Sequence, residues 1–192
     1  MSNVKLGVIG CGGISHYHLS HLMLIPEVNI LAISDVIEPN MKKLQHAFPS
    51  LLRRCKPFLN YKDMLNSVKL DAVEILTPHM QHFEQAMECL NRDLHTLIEK
   101  PMVCTTEQAE GLIAKAEEKK KVVLVSYQRH YQPQFRHIKR FIESGEIGDI
   151  QFISAMQCQN WLNLTKGTWR QDPKISGGGQ LIDSASHLFD II

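Results

Sequence analysis

No apolar run in the sequence approaches the ~20 residues that a membrane-crossing helix needs, so no membrane partner is expected. Neither charge is in excess: 21 Lys and Arg stand against 20 Asp and Glu. That balance argues against a nucleic-acid partner and against a polybasic membrane surface. Short runs such as "RRCK" (53–56) and "EEKKK" (117–121) read as solvated faces or helix ends. Cysteine is sparse and scattered. Its five residues, at 11, 55, 89, 104 and 158, are odd in number and form no C-x-x-C pair, so neither a disulfide framework nor a zinc knuckle is expected. Such usage fits a reducing, cytoplasmic setting. Met1 leads almost directly into "VKLGVIG", a strand-like start, so no secretory leader is expected. Internal repeats and low-complexity tracts are also lacking.

What is present is enough for a real core. Hydrophobic residues make up 44% of the 192 and charged residues 21%, which suits one folded domain and part of a second. Apolar strand-like runs, at 4–9, 28–35, 71–78, 95–101 and 122–127, alternate with helical patterns. The helices are expected over about 13–24, after Pro39, over 80–92, and over 105–121 with Thr105 as N-cap. Near-continuous apolar strands separated by helices imply a parallel sheet covered on both faces, and right-handed crossovers make it doubly wound. The fold class is therefore α/β, a Rossmann-type domain over 1–120. After Tyr127 the rhythm changes. A helix near 133–144, one long alternating segment over 150–161 and a terminal helix are expected to begin a second, α+β domain over 121–192.

The stretch "GVIGCGGIS" (7–15) sits between the first strand and the first helix. Gly10-x-Gly12-x-x-Ser15 matches the dinucleotide fingerprint with Ser in the third glycine position. Gly10 permits the tight turn and Gly12 lets a pyrophosphate approach the backbone. The helix from Gly13 offers free N–H groups and a positive dipole end. Gly10, Cys11, Gly12, Gly13 and Ile14 are thus cofactor-binding candidates. Asp35 closes the second strand, where a carboxylate accepts hydrogen bonds from the adenosine ribose. It would repel a 2′-phosphate, and the residues after it are Val36, Ile37 and Glu38 rather than Arg. NAD is therefore expected over NADP.

Two further places carry chemistry. "IEKPM" (98–102) puts Glu99 and Lys100 at the carboxyl end of a strand, where open α/β sheets bind ligands. In the terminal "SGGGQLIDSASHLFDII", Asp183, His187 and Asp190 fall at i, i+4 and i+7 on one helix face, and Leu181, Ala185, Leu188 and Ile192 on the opposite one. That helix expects a core on one side and a polar cleft on the other. No metal is expected. His16 and His18 would lie about 200° apart on the first helix, leaving only His18 and His21 on one side. His79 and His82 read as cleft residues.

Taken in order, the glycine turn, "TPHMQH" (77–82), "EKP" (99–101), "YQRHY" (127–131), "TWRQDP" (168–173) and "GGGQLIDSASH" (177–187) resemble the glucose–fructose oxidoreductase / inositol dehydrogenase / MocA family of NAD(P)-dependent dehydrogenases. The resemblance runs along the whole chain. It implies hydride transfer between a nicotinamide and a secondary alcohol of a sugar, polyol or related small molecule. Lys100 would lie beside the nicotinamide, with a cis bond before Pro101. Thr77, Pro78, His82, Glu99 and Gln128 would line the cofactor, and Asp183 and His187 would face the substrate. Lys100, Asp183 and His187 are the catalytic candidates, with the base left open between Lys100 and His187. Ala185 stands where many members have Gly. The same residues would also serve a redox-assisted glycosidase, and a non-catalytic dinucleotide-binding regulator is a further reading. Family members continue into a large antiparallel sheet that commonly forms the subunit interface. The chain is accordingly expected to be an amino-terminal part of a longer dehydrogenase, forming a homo-oligomer or disordered beyond about residue 150.

Overall fold

The structure is a computed structural model and describes residues 3–192. It divides into two compact units that meet between Val125 and Ser126. The first unit carries six strands: β1 (Val4–Ile9), β2 (Val28–Ser34), β3 (Lys56–Phe58), β4 (Ala72–Ile75), β5 (His95–Ile98) and β6 (Val123–Val125). All pairs are parallel and the order is β3-β2-β1-β4-β5-β6. This is the doubly wound order, with its reversal between β1 and β4. Helices α1 (Gly13–Leu22), α2 (Glu38–Ala47), α3 (Tyr61–Ser67), α4 (His82–Asn91) and α5 (Thr106–Lys119) connect the strands.

Alternation along the strands feeds two cores. Leu6, Val8, Ile30 and Ile33 pack with Leu19 of α1 and Met41 and Leu44 of α2. Ile9, Ala32, Val73, Ile75 and Ile98 pack with Met64 of α3, Leu90 of α4 and Leu112 of α5. Because both faces are covered, the strands read as continuous apolar runs rather than alternating ones. Thr105 caps α5 as expected, its Oγ1 accepting the Gln108 N–H at 3.2 Å.

The structure adds β3 and α3, which the apolar pattern does not announce. β3 is three residues long and contains Pro57, tolerated at a sheet edge. α3 starts at Asn60, whose side chain accepts the Lys62 N–H at 2.8 Å. β6 belongs to the first sheet, pairing with β5 through Thr96–Val123 to Ile98–Val125. The first unit therefore runs five residues past the boundary expected at 120.

The second unit holds α6 (Pro133–Glu143), α7 (Trp161–Thr165), α8 (Pro173–Ser176), α9 (Gln180–Asp183) and α10 (Ser186–Asp190), with short 3-10 turns at Gln128–Tyr131 and Trp169–Gln171. Residues 151–160 form no strand, contrary to expectation. A strand exists only where a neighbour accepts and donates along its edge, and among the described residues of this unit no such neighbour exists. Among the described residues no helix is long and apolar enough to cross a membrane.

Candidate cofactor site and active-site residues

The glycine turn follows β1 at the reversal of strand order. Gly10 has φ +97°, and a Cβ there would lie 2.7 Å from the Leu76 carbonyl carbon and oxygen. Two constraints, a left-handed backbone and a touching strand end, thus demand glycine. Ser15, in the third glycine position, is fully buried and turns its hydroxyl back to the Gly12 carbonyl at 2.6 Å. Gly12 and Gly13 differ from Gly10. A Cβ on either would meet no protein atom within 4 Å. Gly12 also caps α1 without any side-chain hydrogen bond. Open space in front of uncapped helix N–H groups is what a pyrophosphate requires, so these residues fit the cofactor.

Asp35 sits directly behind this turn. Its carboxylate accepts the Cys11 N–H at 2.7 Å, the Ile37 N–H at 2.8 Å and the Asn40 amide at 3.3 Å. The acid therefore shapes the glycine turn. Cys11 itself is buried, with its thiol pushed well up by burial and then by the Asp35 charge. It contributes through its backbone. Val36 and Ile37, beside Asp35, are exposed and carry no cation for a 2′-phosphate.

At the carboxyl end of β4, the Thr77 hydroxyl donates to Gln85 Oε1 at 2.6 Å. Pro78 leads into a 3-10 turn, His79–Gln81. His82 is fully buried. Its Nδ1 lies 2.8 Å from the Pro101 carbonyl and its Nε2 2.8 Å from the Thr77 carbonyl. His82 thus bridges two backbone carbonyls from inside the fold. Burial pulls its pKa down, opposed by those two carbonyls and Glu99, and assisted by the Lys100 charge.

Glu99 and Lys100 follow β5, with the Glu99 N–H donating to the Ile75 carbonyl at 2.9 Å. The Lys100–Pro101 bond is cis. His18 of α1 reaches this point. Its Nδ1 lies 2.7 Å from Glu74 Oε1 and its Nε2 3.2 Å from Glu99 Oε1. Burial opposes charge on this ring, but the hydrogen bonds and charges of the two glutamates outweigh it and raise its pKa to about 9. The motifs of the sequence do not announce this bridge. Its signal was Glu74, a lone acid in the buried strand "AVEI". His21 instead bonds to the Tyr17 carbonyl at 2.9 Å. Among the described residues no group of three or more His, Cys, Asp or Glu could hold a metal.

In the second unit, Asp183 is buried and its Oδ2 accepts from Trp161 Nε1 at 2.9 Å and Arg170 Nε at 3.2 Å. His187 lies edge-on to Tyr127, centroids 5.9 Å apart. His130 Nε2 lies 2.7 Å from Asp190 Oδ1. Gln128 is exposed on its 3-10 turn.

The expected single terminal helix is interrupted. The Ser186 hydroxyl donates to the Asp183 carbonyl at 2.9 Å, and the His187 N–H goes to Ser184 instead. The Ala185 N–H reaches back to Gln180. A serine bonding back onto the helix diverts the regular ladder. Burial is also inverted relative to expectation: Asp183 is buried while Leu181 is 63% exposed.

The family model described as "Oxidoreductase family, NAD-binding Rossmann fold" matches residues 4–127, and that of the GFO/IDH/MocA C-terminal domain matches 135–192. The glucose-6-phosphate 3-dehydrogenase of Bacillus subtilis is 27% identical over 190 residues, covering 98% of this chain and 52% of the relative. The scyllo-inositol 2-dehydrogenase (NADP(+)) of the same organism is 26% identical over 190 residues, covering 99% of this chain and 51% of the relative. The crystal structure of the WlbA dehydrogenase from Bordetella pertussis in complex with NADH and UDP-GlcNAcA shares the fold. It has TM-score 0.84 and 24% identity, covering 99% of this chain and 54% of that one. The chain spans about half the length of these relatives. With an NAD-binding Rossmann unit followed by a match to the second family domain, the chain belongs to the GFO/IDH/MocA oxidoreductase family.

Proposed function

We propose that the protein serves an NAD-dependent dehydrogenase that oxidises a secondary alcohol of a sugar, polyol or related small molecule. The observation that carries this reading is the placement of Lys100. It follows β5 on the carboxyl edge of the sheet, the same edge on which the glycine turn follows β1 and Asp35 follows β2. Open α/β sheets bind ligands on that edge.

In this reading Asp35 binds the adenosine ribose and the Gly12–Ile14 backbone faces the pyrophosphate. A bound nicotinamide supplies the hydride acceptor. Lys100 steadies the substrate oxygen as it becomes a carbonyl, or takes its proton. Taking that proton requires the side chain in its neutral amine form. Asp183 and His187 contact substrate hydroxyls, and His187 is the alternative base. Asp183 accepts from Trp161 and Arg170 through Oδ2, which fixes the carboxylate in place for such a contact.

Self-association belongs to the same proposal. Phe152, Met156, Leu164 and Phe189 of the second unit are 66–85% exposed, and apolar surface of that kind favours a protein partner.

A fluorescence titration with NADH, and with NADPH in parallel, tests the reading. Saturable binding with NADH preferred is expected. A folded chain that binds neither would overturn it. NADPH preferred over NADH would overturn the role given to Asp35.

A further inference from the structure

Lys100 stands between two residues that are each tied to a histidine from another element. On its amino side, Glu99 bonds to His18 at 3.2 Å, and His18 bonds to Glu74 at 2.7 Å. On its carboxyl side, the Pro101 carbonyl lies 2.8 Å from His82, whose other nitrogen lies 2.8 Å from the Thr77 carbonyl. The two ties cross from α1 to β4 and from α4 to the loop after β4. They are far from local: His18 and Glu99 are 81 residues apart, and His82 and Pro101 are 19 apart.

We propose that His18 and His82 are positioning residues that clamp the Glu99–Pro101 segment from both sides, and thereby fix where the Lys100 ammonium is presented.

The two rings do this with different charge. A ring that bonds two carboxylates must donate from both nitrogens, which only the imidazolium does. Glu74 is fully buried, and its Oε2 has no hydrogen-bond partner, so the acid needs the His18 cation as its counter-charge. The groups facing His18 are Glu74 from β4, Glu99 from the end of β5, and the Tyr17 ring edge-on from its own helix. His82 faces carbonyls instead, and burial keeps it neutral; in either tautomer one of the two carbonyls receives the N–H. A cation at position 82 would add like charge beside Lys100. A neutral ring ties the loop without repelling the ammonium.

This inference rests on the reading that Lys100 works at the cofactor end of the sheet, and the test separates the two. Lysines of the full 192-residue chain are dimethylated with 13C-formaldehyde, and the Lys100 resonance is assigned by its loss in Lys100→Arg. In His18→Gln and His82→Gln that resonance is expected to move or to split, while the other lysine resonances and the far-UV spectrum stay as they were. An unmoved Lys100 resonance in both folded variants overturns the clamp. Glu74→Gln removes one anchor of His18 with little change in volume, and serves should either histidine variant fail to fold; it too is expected to move the signal. Without any substitution, the 15N spectrum near pH 7.5 is expected to show both His18 nitrogens protonated, and a neutral His18 overturns the bridge. NADH added to the unsubstituted protein tests the other reading. NADH that binds and leaves the Lys100 resonance in place would remove Lys100 from the cofactor end, and the variants alone would still decide the clamp.

Discussion

The two units hold their candidate carboxylates by different means. In the first, Glu99 is tied through His18 to Glu74 by bonds that span 81 and 56 residues. In the second, Asp183 is tied to Trp161 and Arg170 across 22 and 13 residues. The first arrangement exists only when β1, β4 and β5 lie side by side, because each member enters from a separate element. The second is assembled from helices of four or five residues and the turns between them. Placement inherited from a paired sheet is as stable as the sheet. Placement inherited from short helices is as stable as their local bonds, since helices this short do not persist alone. Damage to the sheet should therefore reach Lys100 at once, whereas damage around Asp183 should remain local.

The strongest way to break the comparison is at the turn. Gly10→Ala puts a Cβ 2.7 Å from Leu76 and a side chain at φ +97°. A cost of about 3 kcal/mol is expected from strain and overpacking together, with NADH binding lost as well. Gly12→Ala sharpens the point, because its Cβ meets nothing. Its melting temperature should stay within a degree or two of the parent, and NADH binding should still fall at least tenfold. Equal destabilisation of both variants would show that the open space at Gly12 is not a ligand cradle.

The next effect is a pH dependence confined to the first unit. His18 has a folded pKa of about 9 against 6.5 for the free side chain. Between those values the native state holds a proton that the unfolded chain has lost, so stability falls as pH rises. The contribution is full below about pH 6.5 and gone above about 9; the shift corresponds to about 3 kcal/mol at most. Urea unfolding at pH 6.5 and pH 9.5 should show this loss in the parent and not in His18→Gln. A parallel fall in both would assign the dependence to other groups.

How much of this was legible follows the same division. Val8, Ile33, Val73 and Ile98 were readable because a strand covered on both faces needs unbroken apolar residues. The positions of Gly10 and Asp35 were readable because a glycine turn after the first strand and an acid after the second sit at fixed places in a strand–helix–strand unit. β3 was not, since Lys56, Pro57 and Phe58 owe their strand to β2 rather than to their own propensity. The His18 bridge was hidden for a similar reason. One buried acid in β4 pointed to a partner, but the partner is 56 residues away, and only the crossover brings it close. In the second unit, "IQFISAMQCQNW" alternates as a strand should, yet a period of two expresses itself only beside another strand. The expected terminal helix failed at Ser186, whose hydroxyl takes the Asp183 carbonyl.

Asp35 offers a smaller, sharper effect. Asp35→Ser removes the proposed ribose acceptor and the charge that would oppose a 2′-phosphate. NADH affinity is expected to fall about tenfold, the loss of one charge-assisted hydrogen bond, and NADPH affinity to rise. Because the carboxylate also holds the Cys11 and Ile37 N–H groups, a modest fall in melting temperature should accompany the change. An unchanged NADH-to-NADPH ratio would remove Asp35 from the ribose.

The smallest effect belongs to the second unit, and there the sign matters more than the size. Asp183→Asn keeps an acceptor for Trp161 and removes the ion pair with Arg170, whose side chain is 34% exposed. Solvent screens such a pair, so about 1 kcal/mol or less is expected. The loss should appear as faster hydrogen exchange around Trp161, Arg170 and Asp183, with Glu99 and Lys100 protected as before. If the variant instead loosened β4 and β5 as much as α9, Asp183 would be part of the cooperative sheet, and the contrast between long-range and local placement would fail. Protection lost only near Asp183 would mean that this carboxylate is held by its neighbours alone.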